Sequence, residues 1–370
     1  MTRVLMTGGA GFIGSHATAA LLEAGYDVRV LDSLSPQVHG PRRQRPAHLP
    51  GGAELLVGDV TDALALDRAL RGADMVLHLA SSVGVGQSMY DIDSYVKTNE
   101  LGTAMLLQAL TKHPVERLVV ASSMSIYGEG ACRSANGEIV APDERPLKRL
   151  RQGDWELRDD RGEPLEPIPT SEAKAPALSS IYALNKYAQE RMCLIVGNAY
   201  NIPTVALRFF NVYGPHQALS NPYTGVLAIF AARLLNGRPP LVFEDGLQRR
   251  DFVHVHDVAR ACLLALETEH TGDVFNIGSG ESRTIMSIAH DLARVMGCSE
   301  LTPTVTGRYR AGDIRHCFAD LGKSRRLLGF EPRVAFDHGL GELARFLGDQ
   351  IADDQAEKAT QELLQRGLVA

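Results

Sequence analysis

The chain has 370 residues, 45% apolar and 22% charged, with a net charge of −6. That length builds one large or two smaller domains around a full core, and the composition is that of an ordinary globular protein. The negative balance argues against a nucleic-acid-binding surface. The five scattered cysteines form no Cys-x-x-Cys pattern and so offer neither a zinc site nor a disulfide framework. No leader pattern precedes the first strand and no run reaches 18 apolar residues, so a cytoplasmic protein without a membrane span is expected.

Strand and helix patterns alternate through the first half. Residues 4–7 read as a short strand, 12–24 as a helix stopped by Gly25, and 28–31 as a strand ending at Asp32. A third strand, 54–57, leads to Gly58-Asp59-Val60; a helix at 63–70, a strand at 75–79 and a long helix at 98–111 follow. The strand at 117–121 runs into Ser122-Ser123. This alternation implies a parallel, doubly wound α/β sheet with right-handed crossovers. Residues 130–177 are rich in Pro, Gly and charge and hold Trp155, the single Trp. They read as an insertion, either a surface excursion with little regular structure or a wall beside the active site. After the Tyr182 helix and a strand at 204–209, the mixed region to about Phe346 suggests a smaller lobe. The residues after Asp349 suggest an amphipathic or fraying tail.

Two motifs carry chemistry. In Gly8-Gly9-Ala10-Gly11-Phe12-Ile13-Gly14, directly after a strand, Gly8 can make the tight turn. Gly11 can admit a pyrophosphate, and Gly14 can let the helix pack closely, with the helix N-terminus facing the phosphates. Asp32, ending the next strand, can accept from both ribose hydroxyls and would repel a 2′-phosphate, which favours NAD over NADP. Asp59-Val60 could border the adenine, or Asp59 could be a simple loop residue. In Tyr182-Ala-Leu-Asn-Lys186, helical spacing puts phenol and ammonium on one face, where the cation would lower the Tyr pKa towards the range of a general base. His254-x-His256 reads as two strand residues sharing a face, engaged in packing and hydrogen bonding; no metal site is expected.

From Val4 to about Phe346 the chain resembles the extended short-chain dehydrogenase/reductase family, in particular its nucleotide-sugar epimerases and dehydratases. Besides the two motifs, the resemblance rests on Leu79-Ala80-Ser81, Ser122-Ser123-Met124-Ser125-Ile126-Tyr127-Gly128 and Arg208-Phe209-Phe210-Asn211-Val212-Tyr213-Gly214-Pro215. It continues through Arg250-Asp251-Phe252-Val253-His254-Val255-His256-Asp257, Phe275-Asn276-Ile277-Gly278 and Arg310-Ala311-Gly312-Asp313. It implies a Rossmann doubly wound sheet in residues 1–205, carrying the 130–177 insertion. A smaller C-terminal substrate-binding lobe in 206–346 would be interleaved with it, followed by a tail, 347–370. Tyr182 would be the base, Lys186 would bind the nicotinamide ribose, and Ser123 would hydrogen-bond the reacting hydroxyl. NAD would lie along Gly8, Gly11, Phe12, Ile13, Gly14, Asp32, Asp59, Val60, Leu79, Ala80, Ser81, Asn99 and Ser122. Asn211, Arg250 and Arg310 would hold a substrate diphosphate, Asp313 the nucleotide ribose, and Ser123 and Ser125 the sugar.

Sugar-nucleotide 4,6-dehydratases of this family carry Thr-Asp-Glu where this chain has Ser123-Met124-Ser125, and its decarboxylases place a Glu at the position of Ser125. Met124 is neither acid nor base, and Ser125 is a poor base. The resemblance therefore points to a nucleotide-sugar 4-epimerase. The stretches Ser88-Met89-Tyr90, Ser122 to Gly130 and Asn221-Pro222-Tyr223-Thr224-Gly225-Val226-Leu227 are most similar to dTDP-L-rhamnose 4-epimerase-type proteins, with UDP-glucose 4-epimerase-like proteins close by. The alternatives are an NAD(P)H-dependent 4-ketoreductase and a non-catalytic NAD-binding protein of the same fold. The resemblance also implies a homodimer, formed through the 98–111 and 182–199 helices.

Overall fold

A computed structural model of the protein describes residues 1–217, 225–310, 312–348, 354 and 356–370. Its centre is a seven-stranded sheet: β1 (Arg3–Thr7), β2 (Asp27–Asp32), β3 (Glu54–Val57), β4 (Met75–His78), β5 (Arg117–Ser123), β6 (Thr204–Phe209) and β7 (Asp273–Ile277). The order is β7-β6-β5-β4-β1-β2-β3, and every pair is parallel. Val4, Leu5 and Met6 are all fully buried, because helices cover both faces; a parallel sheet of this kind reads as a continuous apolar run rather than an alternation. Strand order reverses between β4 and β1, and the carboxyl ends of β1, β4 and β5 open there into one crevice, where such sheets bind ligands.

Two of the four helices that frame the crevice start on side-chain caps. Helix α1 is Phe12–Glu23. Helix α2, Ala63–Leu70, is capped by Asp62, whose carboxylate accepts from Leu64 and Ala65 N–H. Helix α3 is Gly102–Leu110, and α4 is Ile181–Ala199, whose cap Ser180 accepts from Ala183 N–H at 3.1 Å. A second apolar core lies among α5 (Val226–Leu235), α7 (Ile285–Val295) and α8 (Phe336–Gly348), built on Leu227, Phe230, Ile288, Leu292, Leu340 and Leu343. Helix α6, Val255–Glu267, returns the chain to β7 of the central sheet. Residues beyond position 205 thus belong partly to the first sheet.

Several expectations need correction. The helix expected over 98–111 begins earlier as a π-helical segment, Val96–Leu101, before α3. The insertion is not irregular: Cys132–Arg133, Ile139–Val140 and Glu166–Pro167 form a small antiparallel sheet over Cys132, Leu157 and Leu165. His254 and His256 do not share a strand face. His254 ends the strand Phe252–His254, and His256 lies in the first turn of α6. Of the two readings of the tail, amphipathic or fraying, residues 356–365 take the first: they form a helix, α9 (Ala356–Gln365), with Ala359 and Leu363 buried and the chain end paired to Tyr309. Of the stretches carrying the resemblance, Asn221-Pro222-Tyr223-Thr224 and Ala311 lie outside the described residues.

Candidate active site

The crevice is a cleft of about 930 Å³ that runs from the first glycine loop across the ends of β4 and β5 to α5 and α9. At its cofactor end Gly8 has φ +71°, and a Cβ there would lie 2.8 Å from Ala80 N. A Cβ on Gly14 would lie 2.5 Å from both Gly8 O and Gly9 Cα, so only glycine lets α1 start this close to the loop. Asp32 is 8% exposed; its Oδ2 accepts Ala10 N–H (3.0 Å) and its Oδ1 accepts Leu34 N–H (2.9 Å). A carboxylate has about four lone-pair sites, so Asp32 is oriented by the loop and retains capacity for a diol. Asp59 is exposed and ties down its own turn through Thr61, while both Asp59 and Val60 face the cleft. Phe12, Ile13, Leu79, Ala80, Ser81 and Ser122 also line it.

Asn99 is different. It is fully buried under the cleft; its amide accepts from Ser82 N–H (2.7 Å) and Ser81 Oγ (3.1 Å) and donates to Ser82 O (3.0 Å). The structure places it beneath the Ser81–Ser82 loop, which it shapes, and not among the residues expected to line the cofactor end that do face the cleft. Ser122 likewise spends its hydroxyl inward, donating to Glu190 Oε2 at 2.7 Å.

Ser123, Tyr182 and Lys186 face the same cleft. Ser123 stands at the end of β5; its Oγ accepts Ser125 N–H (3.2 Å) and the Ser125 hydroxyl (2.9 Å) and is hydrogen-bonded to Tyr182. Ser125 therefore orders Ser123. Tyr182 begins α4, with its N–H donating to Ser88 Oγ at 3.0 Å. Burial pushes the Tyr182 phenol above its ordinary value, with the Ser123 hydrogen bond pulling the other way. This corrects the expectation that Lys186 depresses it. Lys186 Nζ donates instead to Gln189 Oε1 at 2.8 Å, and burial pulls its ammonium down to about 8.

Gln189 carries no sequence signal. Its Nε2 donates to Thr103 Oγ1 (2.8 Å), and Thr103 Oγ1 also contacts His78 Nε2 (2.8 Å). The His78 Nδ1 meets Thr7 Oγ1 at 2.7 Å. Burial, with the Lys186 charge, pulls His78 down to about 3, so the ring is neutral and the chain of bonds holds Lys186 without a competing cation. Beneath Ser123, Arg208 pairs with Glu190 (2.7 Å) and donates to Tyr127 Oη (2.9 Å), which donates to Asn276 Oδ1 (2.7 Å). These motif residues form the floor that fixes β5 and β6 rather than the reactive surface.

At the far end, Asn211, Arg250, Arg310 and Asp313 line the cleft. Arg250 donates to Arg315 O (3.0 Å) and Ile314 O, with Asp313 Oδ1 at 3.6 Å. The Arg310 guanidinium lies 4.7 Å over the Phe243 ring. Asn211 Oδ1 and Arg310 Nε are buried without a hydrogen-bond partner.

His254, His256 and Glu342 come together outside the cleft lining. His254 Nδ1 accepts His256 N–H (3.4 Å), which caps α6. Burial and the neighbouring histidines pull His254 down to about 4. The neutral ring that caps the helix carries its proton on Nε2, facing Glu342 Oε2 at 3.6 Å. A metal at Nε2 would have to displace that proton and the cap with it.

A glycine-turn cradle and an aspartate at the end of the second strand of a doubly wound sheet define a dinucleotide-binding protein of the Rossmann class. The chain belongs to the NAD dependent epimerase/dehydratase family, whose model matches residues 4–148 and 160–278. It is 36% identical to the dTDP-L-rhamnose 4-epimerase of Burkholderia thailandensis over 359 residues, covering 94% of this chain and 96% of that one. The solved UDP-glucose 4-epimerase of Thermotoga maritima with UDP-glucose superposes with a TM-score of 0.77 at 30% identity, over 94% of this chain and 99% of that one. The Thermus thermophilus UDP-glucose 4-epimerase complex with NAD gives a TM-score of 0.75 at 31% identity, over 95% and 100%.

Proposed function

We propose that the protein is an NAD-dependent nucleotide-sugar epimerase that inverts C4 of a dTDP- or UDP-hexose through a transient 4-keto sugar. One observation carries the reading. A single cleft holds the dinucleotide cradle and the Ser123–Tyr182–Lys186 set, while Met124 and the engaged hydroxyl of Ser125 supply no second acid–base pair. The likeness to 4-epimerases over nearly the whole chain favours this over a ketoreductase.

NAD fits the cradle, because Gly8 and Gly14 leave backbone where any side chain would intrude and Asp32 offers free lone pairs. Gly8, Gly11, Phe12, Ile13, Gly14, Asp32, Asp59, Val60 and the 79–81 loop would hold it, and when bound it supplies the hydride acceptor and donor and a positive charge that favours phenolate. Tyr182 takes the proton of the C4 hydroxyl and later returns it. Ser123 donates to the same oxygen and keeps the phenol aligned, in turn held by Ser125. The Lys186 ammonium, held by Gln189, would bind the nicotinamide ribose. Asn211, Arg250 and Arg310 keep the diphosphate anchored while the keto sugar turns over and presents its other face.

A homodimer is part of the reading: Val96, Leu101, Leu184 and Ile195 are exposed on the segment leading into α3 and on α4. A reducing, cytoplasmic setting fits the free cysteines 132, 193, 262, 298 and 317, and a role in carbohydrate biosynthesis fits the substrate class. The direct test is Tyr182→Phe. We expect kcat to fall at least about a hundredfold with NAD content retained. Near-normal turnover in that variant would remove Tyr182 from the chemistry.

A further inference from the structure

The insertion is wired into the far end of the cleft by an ionic network whose central residues lie behind the cleft wall. Arg145, in the insertion, has its side chain 2% exposed. It reaches Glu129 Oε1 (3.2 Å) and Glu244 Oε1 (2.9 Å), and it donates to Trp155 O (3.2 Å) and Asp313 O (2.9 Å). The second oxygen of Glu129 accepts Arg315 N–H (2.7 Å) and His316 N–H (3.2 Å). Arg315, fully buried, pairs with Glu244 (2.9 Å), Asp245 (2.7 Å) and Glu156. None of Glu129, Arg145, Glu244 and Arg315 is among the residues lining the cleft.

Residues 313–316 are what this network holds. The same four residues dictate where Arg250 points: its guanidinium donates to the carbonyls of Ile314 and Arg315 and faces the Asp313 carboxylate, while the Arg249–Arg250 strand pairs with His316–Cys317. A guanidinium binds phosphate well only when its planar fork is aimed, since its donors are fixed relative to one another. Burying several charges is an inefficient way to stabilise a fold, as apolar residues of similar size often do at least as well. What such a network does supply is direction: each partner accepts only from certain angles, so the segment has one arrangement rather than many.

We propose that Glu129 and Arg145 are positioning residues for the substrate diphosphate: together they fix residues 313–316, and through them the aim of Arg250 and the placement of Asp313. The insertion is then a buttress of the nucleotide end of the cleft. The inference rests on the reading that Arg250 and Asp313 hold substrate.

The test uses the NAD-loaded enzyme, with UDP and dTDP as probes in calorimetric titrations and with steady-state kinetics beside them. Arg145→Met is expected to weaken binding of the better probe about tenfold and to raise KM by a similar factor, with kcat and NAD content within about twofold of wild type. Arg145→Lys, which keeps the charge, should recover part of the affinity. Arg145→Met placed on Arg250→Met should cost little more than Arg250→Met alone, because both changes remove the same contact; non-additivity of this kind marks coupled residues. Wild-type affinity in Arg145→Met, or full additivity with Arg250→Met, overturns the proposal. If Arg145→Met does not accumulate as folded protein, Glu129→Gln is judged by the same affinity, KM and additivity criteria. Unchanged affinity in Arg250→Met itself would instead overturn the anchor reading on which the proposal rests.

Discussion

Replacing Lys186 by methionine should abolish a pH dependence of stability that burial of the ammonium creates. Lys186 is 3% exposed, and burial lowers it from 10.5 to about 8. Between these values the unfolded chain holds a proton that the folded protein has released, so stability rises with pH. The contribution is complete above 10.5 and is lost as pH falls through about 8. At about 1.4 kcal/mol per pKa unit, the full change is about 3 kcal/mol. His78, which also feels the Lys186 charge, lies at about 3 and does not titrate in this window. The assay is urea unfolding of NAD-free wild type and Lys186→Met from pH 7 to 10.5. The difference in stability between them should move about 3 kcal/mol in favour of wild type across the range, with groups common to both cancelling. A difference that stays flat would mean that the ammonium is not desolvated as the structure has it, and the Gln189 tether would lose its meaning.

Other outcomes follow from the cradle. Gly14→Ala places a methyl group 2.5 Å from Gly8 O and Gly9 Cα, so the loop must shift; NAD affinity should fall at least about tenfold, read by NAD content after purification and by titration. Asp32→Asn keeps the shape but removes the charge that would repel a 2′-phosphate, so the preference for NAD over NADP should narrow about tenfold in fluorescence titrations. An unchanged preference would place discrimination elsewhere in the loop after β2.

How much of this was legible depended on distance along the chain. The glycine turn, Asp32 and the i,i+4 pair Tyr182–Lys186 are local patterns, and each lies on the expected element, as do the 54–57 strand and the 63–70 helix. What stayed hidden rests on contacts between distant segments. Gln189 looks like any polar helix residue until α4 packs against Thr103 and Ala80. Asn99 sits beneath the 81–82 loop because the helical segment that carries it is buried there. A lowering of Tyr182 by Lys186 follows from spacing alone; in the folded protein burial raises the phenol, and the opposing pull comes from Ser123. His254-x-His256 misled because a strand ends between its two residues, and side-chain periodicity changes there from 2 to 3.6. The composition of the insertion reads as a surface excursion or a wall beside the active site, and only the folded chain shows that Arg145 meets Glu244 and the Asp313 backbone carbonyl from outside it.

The central claim is redox-neutral inversion at C4 by an enzyme that keeps its NAD. Its most direct test is to incubate the purified protein with UDP-, dTDP- and GDP-hexoses, add no cofactor, and follow the sugar C4 proton by NMR. The account predicts that a UDP- or dTDP-hexose equilibrates with its C4 epimer. No inversion across the panel, or conversion only with stoichiometric consumption of added NADH, would contradict it.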